Sequence, residues 1–81
     1  MNEQLDPSVV NLAKAIGQSE SGGKYDAKGK SGEYGAYQYT PTTWASDSHK
    51  YLGSVVPLEQ ATPAQQDEVA YKLKNAIHKA K

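Results

Sequence analysis

At 81 residues, 37% hydrophobic and 22% charged, the chain reads as one small domain over residues 1–81, burying only roughly 60% of its unfolded surface. Nine Lys balance nine Asp and Glu and Arg is absent, which argues against a nucleic-acid partner, since such binders carry a basic excess and use Arg on phosphate and guanine. With no Cys there is no disulfide or thiolate metal site; no apolar run approaches the ~18 residues of a membrane span, and no charged-then-apolar leader precedes the first helix.

Asp6-Pro7 predicts a helix start, with Asp as N-cap and Pro at the first helical position. Val9, Val10, Leu12, Ala13 and Ile16 share one face of that helix, and Gly22-Gly23 should stop it. Projected at 100° per residue, the mean apolar direction falls within about 20° of Glu20. An acid in line with an apolar stripe should be partly desolvated, and burial disfavours its charged form. Raising a Glu from about 4.3 toward 6–7 costs roughly 3 kcal/mol and makes a proton donor near neutral pH. If the helix frays before Glu20, the side chain is instead in water.

Residues 22–35 hold five of the seven glycines, turn and loop chemistry that suits a short hairpin. "EYGAYQYT" (33–40) alternates and is rich in Tyr, as a short strand or extended segment would be. Alternation would put Tyr34, Ala36 and Gln38 on one side and Tyr37 and Tyr39 on the other. Thr40-Pro41 caps a second helix that carries Trp44, Ser48, Tyr51 and Leu52 on one face and ends at Gly53. In "SVVPLEQ" (54–60), Val55, Val56 and Leu58 are expected to plug the core. Thr62-Pro63-Ala64-Gln65 is a capping box opening a last helix, with Val69, Ala70, Leu73, Ala76, Ile77 and Ala80 as its apolar stripe and Lys74, Lys79 and Lys81 toward its C-terminal dipole. The expected fold is therefore α+β and mainly α, three to four helices with a glycine-rich loop or short β-hairpin beside the first.

Three motifs in order carry a resemblance: Glu20-Ser21-Gly22-Gly23, then Gly35-Ala36-Tyr37-Gln38, then Thr40-Pro41-Thr42-Thr43-Trp44. Together they resemble the lysozyme-like superfamily of peptidoglycan-cleaving enzymes. The nearest likeness is the transglycosylase-like domain of resuscitation-promoting factors, with lytic transglycosylases and goose-type lysozymes further off. "ATPAQQDEVAYKL" is similar to the stretch opening that family's last helix, so the resemblance spans roughly residues 9 to 77. The disulfide and Trp-rich C-terminus usual in resuscitation-promoting domains are absent, and no clear Ala-Tyr-Asn motif is present.

The resemblance implies a small lysozyme-like domain acting on the β-1,4 bond between N-acetylmuramic acid and N-acetylglucosamine. Glu20 would be the general acid that protonates the glycosidic oxygen, and Gln38 would hydrogen-bond the sugar or its N-acetyl group. The bland reading of Gln38 is an amide capping nearby backbone. Tyr34, Trp44 and Thr43 are candidates for substrate contacts; a core role suits Trp44 equally well, and capping suits Thr43.

Ordinary glycosidases add a second carboxylate, about 5–5.5 Å away for retention or 6.5–9.5 Å for inversion. Asp26, Glu33 and Asp47 are available; Asp26 suits a turn, Asp47 looks solvated, and Glu33 could assist across the cleft or be a plain surface charge. The family's transglycosylases need one Glu only. His49 and His78 are not spaced with acids as metal ligands, so neither metal nor cofactor is expected. The expected partner is the peptidoglycan glycan strand, met by a monomer outside the cell, at the wall or on a virion. The competing expectation is a non-catalytic glycan-binding module on the same fold.

Overall fold

Three helices, α1 (Pro7–Ser21), α2 (Pro41–Leu52) and α3 (Pro63–Lys79), each begin at a proline, whose fixed φ and missing N–H suit the first helical position. They belong to a computed structural model that describes residues 7–79. The expected cap Asp6, the stripe residue Ala80 and Lys81 lie outside the described residues, as does the side chain of His78. Thr40 Oγ1 accepts from Thr43 N–H at 3.3 Å to cap α2. Before α3 the capping box closes in both directions, Gln65 N–H to Thr62 Oγ1 at 3.1 Å and Thr62 N–H to Gln65 Oε1 at 3.0 Å. At the other end of α1, Gly22 and Gly23 take φ of 69° and 82°. That turn returns Gly22 N–H to Gln18 O and Gly23 N–H to Gly17 O, satisfying carbonyls that a helix end leaves open.

α3 packs against both α1 and α2, which do not meet each other among the described residues. On one side of α3, Val69 joins Trp44, Leu58 and Ala61 in a buried cluster, with Tyr34, Tyr39, Tyr51, Leu52 and Val56 packed around it. Leu58 sits in a short 3₁₀ turn, Leu58–Gln60. α1 buries only Val9, Ala13 and Gly17, a narrow stripe at four-residue spacing. Leu12, about 100° round the helix, is 54% exposed instead of buried, because a helix held by one neighbour has one covered face. Val55 is likewise 59% exposed where a core role was expected; its neighbour Val56 takes the inward side of an extended connector. In α3 the stripe fades before its expected end, with Ala76 and Ile77 exposed and Asn75 buried.

Between α1 and α2 the expected strand is a tight hairpin turn. Tyr34 and Tyr39 exchange both backbone hydrogen bonds, at 2.9 and 3.1 Å, around the turn Gly35–Gln38. Tyr34 also bridges Lys28, so β structure among the described residues consists of two isolated antiparallel bridges in a mainly helical fold. Pairing Tyr34 with Tyr39 puts both on the core side, which overturns the expected split between Tyr34 and Tyr39.

Candidate active site around the end of α1

Glu20 lies in the last turn of α1, seven residues beyond buried Ala13 and on the same face. Its side chain is exposed and makes no hydrogen bond or ion pair with any described residue. The expected burial is therefore absent: the contact that closes this end of α1 is made by Ser21 with the Ala36 carbonyl, not by Glu20. The glycine next in line leaves the approach open, since nothing lies within 4 Å of where a Gly22 side chain would start.

Ser21 fixes this helix end. Its Oγ is 2.7 Å from the Ala36 carbonyl oxygen and 3.0 Å from that of Gly17, and it accepts from the N–H groups of Gly23 and Lys24 at 3.1 Å each. The Glu20 helix end is thereby tied to the Gly35–Gln38 turn. Gln66, 2% exposed on α3, holds the same turn: Oε1 accepts from Ala36 N–H at 2.9 Å, and Nε2 donates to Tyr25 O at 3.0 Å and Ala61 O at 3.3 Å. Gly35, with φ of 91°, is required here because its missing side chain leaves room for that amide.

Gln38 has φ of 51°, a left-handed conformation that costs a non-glycine residue roughly 1–2 kcal/mol. Its own side chain compensates, Nε2 donating to Gly35 O at 2.8 Å and Ala27 O at 3.0 Å. Both amide protons are thus committed to backbone, as in the capping reading, and only Oε1 is left to accept from a ligand.

Glu33 and Tyr34 line an open cleft of about 590 Å³, with Lys28, Pro41, Leu58 and Glu59 among its other walls. Glu33 is half-buried, and its Oε1 accepts from Ser31 N–H at 2.9 Å, so it serves the loop's turn. No hydrogen bond or ion pair joins it to Glu20. Thr43 is exposed in the first turn of α2. Trp44 is a correction: it is 1% exposed, donates Nε1–H to Val56 O at 2.6 Å, and meets Tyr39 edge to face with centroids 5.2 Å apart. Neither ring face is left for a sugar. Asp47 is not solvated either; it is half-buried, and burial raises its pKa against the opposing pull of Lys50.

A second cleft, of about 390 Å³, lies between α1 and α3 and is lined by Lys14, Gln18, Tyr25, Tyr37, Asp67 and Tyr71. Gln18 and Gly17, which both border this cleft, lie about 160° and 60° from Glu20 around α1. Neither cleft is lined by Glu20. Sequence reasoning gave Ser21, Gln66 and Asp67 no role. All three lay inside quoted motifs, Ser21 in Glu-Ser-Gly-Gly and Gln66 and Asp67 in "ATPAQQDEVAYKL", but no local pattern marked what their side chains hold.

Among known proteins, a family model described as "Transglycosylase-like domain" matches residues 9–78. No curated protein and no solved structure matches the chain.

Proposed function

Since the chain belongs to the family of transglycosylase-like domains, we propose that it is a peptidoglycan-cleaving glycosidase in which Glu20 is general acid and then general base. The observation carrying this reading is a carboxylate within Glu-Ser-Gly-Gly that has no partner among the described residues and whose helix end Ser21 ties to the Gly35–Gln38 turn. The Glu20 carboxyl gives its proton to the glycosidic oxygen between N-acetylmuramic acid and N-acetylglucosamine as the C1–O bond breaks. Glu20, now a carboxylate, takes a proton from the muramic 6-hydroxyl as that oxygen bonds C1, leaving a 1,6-anhydro end. With water in place of the 6-hydroxyl the same cycle is hydrolysis.

Gln38 Oε1 takes the N–H of an N-acetyl group, Tyr34 forms a cleft wall, and Thr43 contacts the chain near α2. Glu33, held by the loop, is at most an electrostatic neighbour. On this reading the chain works as a monomer outside the cell, at the wall or on a virion. The exposure of Glu20 favours one second reading, a glycan-binding module without turnover. Mass spectrometry of purified peptidoglycan after incubation separates them. Anhydro-muramic ends support the single-Glu transglycosylase, products one water heavier support hydrolysis, and binding without soluble fragments refutes the enzyme.

A further inference from the structure

The second cleft holds a cluster of titratable side chains that the proposed reaction leaves unused. Asp67 Oδ1 accepts two phenol hydrogen bonds, from Tyr25 at 2.8 Å and from Tyr37 at 2.7 Å. The two tyrosines bracket the candidate site: Tyr25 follows the Gly22-Gly23 turn, and Tyr37 precedes Gln38. Gln66, the residue before Asp67, grips the main chain of the same two segments, at Tyr25 O and Ala36 N–H. The Tyr37 ring also rests on α1, its Cε1 3.1 Å from where a Gly17 side chain would start. Tyr37 is thus wedged between α1 and α3 with its hydroxyl tied to Asp67.

We propose that Asp67 is a positioning residue of the glycan-cleaving site, setting the Gly35–Gln38 turn against the end of α1 through Tyr37 and the loop after Glu20 through Tyr25. This rests on the enzymatic reading above. A carboxylate oxygen accepts two donors at once and does so more strongly than a neutral amide oxygen, which is why an acid serves here. Gln66 fixes where the backbone runs, and Asp67 fixes how the turn is tilted on it. Without Asp67 the turn keeps its backbone anchor but loses the wedge, so Gln38 Oε1 shifts relative to Glu20.

The test compares wild type, Asp67→Asn, Asp67→Ala and Tyr37→Phe in two measurements. The first is tyrosinate absorbance against pH, which needs no activity. In wild type Tyr25 ionises late, at about 12, held first by its hydrogen bond to Asp67 and then by burial. Both Asp67 variants should ionise a tyrosine earlier, Asp67→Ala furthest. The second is turnover of soluble glycan strands by variants whose circular dichroism matches wild type. Asp67→Ala and Tyr37→Phe should each lower kcat/KM by about tenfold, within what sub-ångström to ångström misplacement costs. Asp67→Asn, which keeps the acceptor, should recover most of that loss. Unchanged tyrosine ionisation in Asp67→Ala, or wild-type kcat/KM in that folded variant, overturns the proposal. A wild type that releases nothing from peptidoglycan overturns the enzymatic reading and the positioning role with it, while the tyrosinate titration still reports whether the hydrogen-bonded clamp exists.

Discussion

Replacing Gln66 by Met keeps the volume of the side chain and removes its hydrogen bonds. Three are at stake: Ala36 N–H to Oε1 at 2.9 Å, and Nε2 to Tyr25 O at 3.0 Å and to Ala61 O at 3.3 Å. The first two have good geometry and are worth about 1 kcal/mol each, the third less. Ala36 is itself buried, so its N–H gains no water in exchange and the loss sits at the upper end of the range. The sum is roughly 2–3 kcal/mol. An 81-residue domain has a total stability of roughly 4–12 kcal/mol, so this is a large share. At about 4–8 °C per kcal/mol, thermal unfolding followed by circular dichroism should show a Tm lower by roughly 10–20 °C. Gln65→Ala beside it is the control; its amide serves only the exposed capping box and should cost about 1 kcal/mol or less. A Gln66→Met loss below 1 kcal/mol, or one no larger than that of Gln65→Ala, refutes the claim that this amide holds the loop together.

Three further outcomes follow from the same geometry. Gly35→Ala should cost at least about 2 kcal/mol in urea unfolding, from the φ of 91° and displacement of the Gln66 amide; combined with Gln66→Met the two losses should fall short of additive, since they disturb one contact. Trp44→Phe should lower stability by about 2–3 kcal/mol through the lost bond to Val56 O and the smaller ring, while glycan affinity measured by calorimetry stays within twofold of wild type. At alkaline pH, Tyr25 is raised from 10.0 to about 12, and Tyr37 and Tyr39 are raised too, chiefly by burial. A folded-state value above the unfolded one contributes stability fully present below pH 10 that is lost as pH climbs through 12, so urea midpoints should hold level up to about pH 10 and then fall.

Legibility followed locality. Helix starts could be read because Pro, Thr and the Thr-x-x-Gln box act within four residues, and each does so at Thr40 and Thr62. The hairpin was harder. Alternation over residues 33–40 suggested one extended strand, but Gly35 and Gln38 both adopt positive φ and fold it back on itself. No residue-pattern rule announces a left-handed Gln whose own amide stabilises its turn. Trp44 shows a different limit, since an aromatic beside a motif has the same sequence whether it faces a sugar or Val56 O. Glu20 was legible as an oddity of the helix wheel and of its motif. Its exposure was one of two readings the sequence left open, expected from fraying, whereas α1 runs on to Ser21 and leaves Glu20 in water unfrayed. Asp67 lay furthest from reach: its two partners are 42 and 30 residues away in sequence.

The most direct test of the account is Glu20→Gln against wild type on purified peptidoglycan, with circular dichroism showing both folded. Removing a general acid should cut the release of soluble fragments by a factor on the order of 10²–10⁴ while glycan binding persists. Equal release by the two proteins would contradict the central claim that Glu20 carries the chemistry.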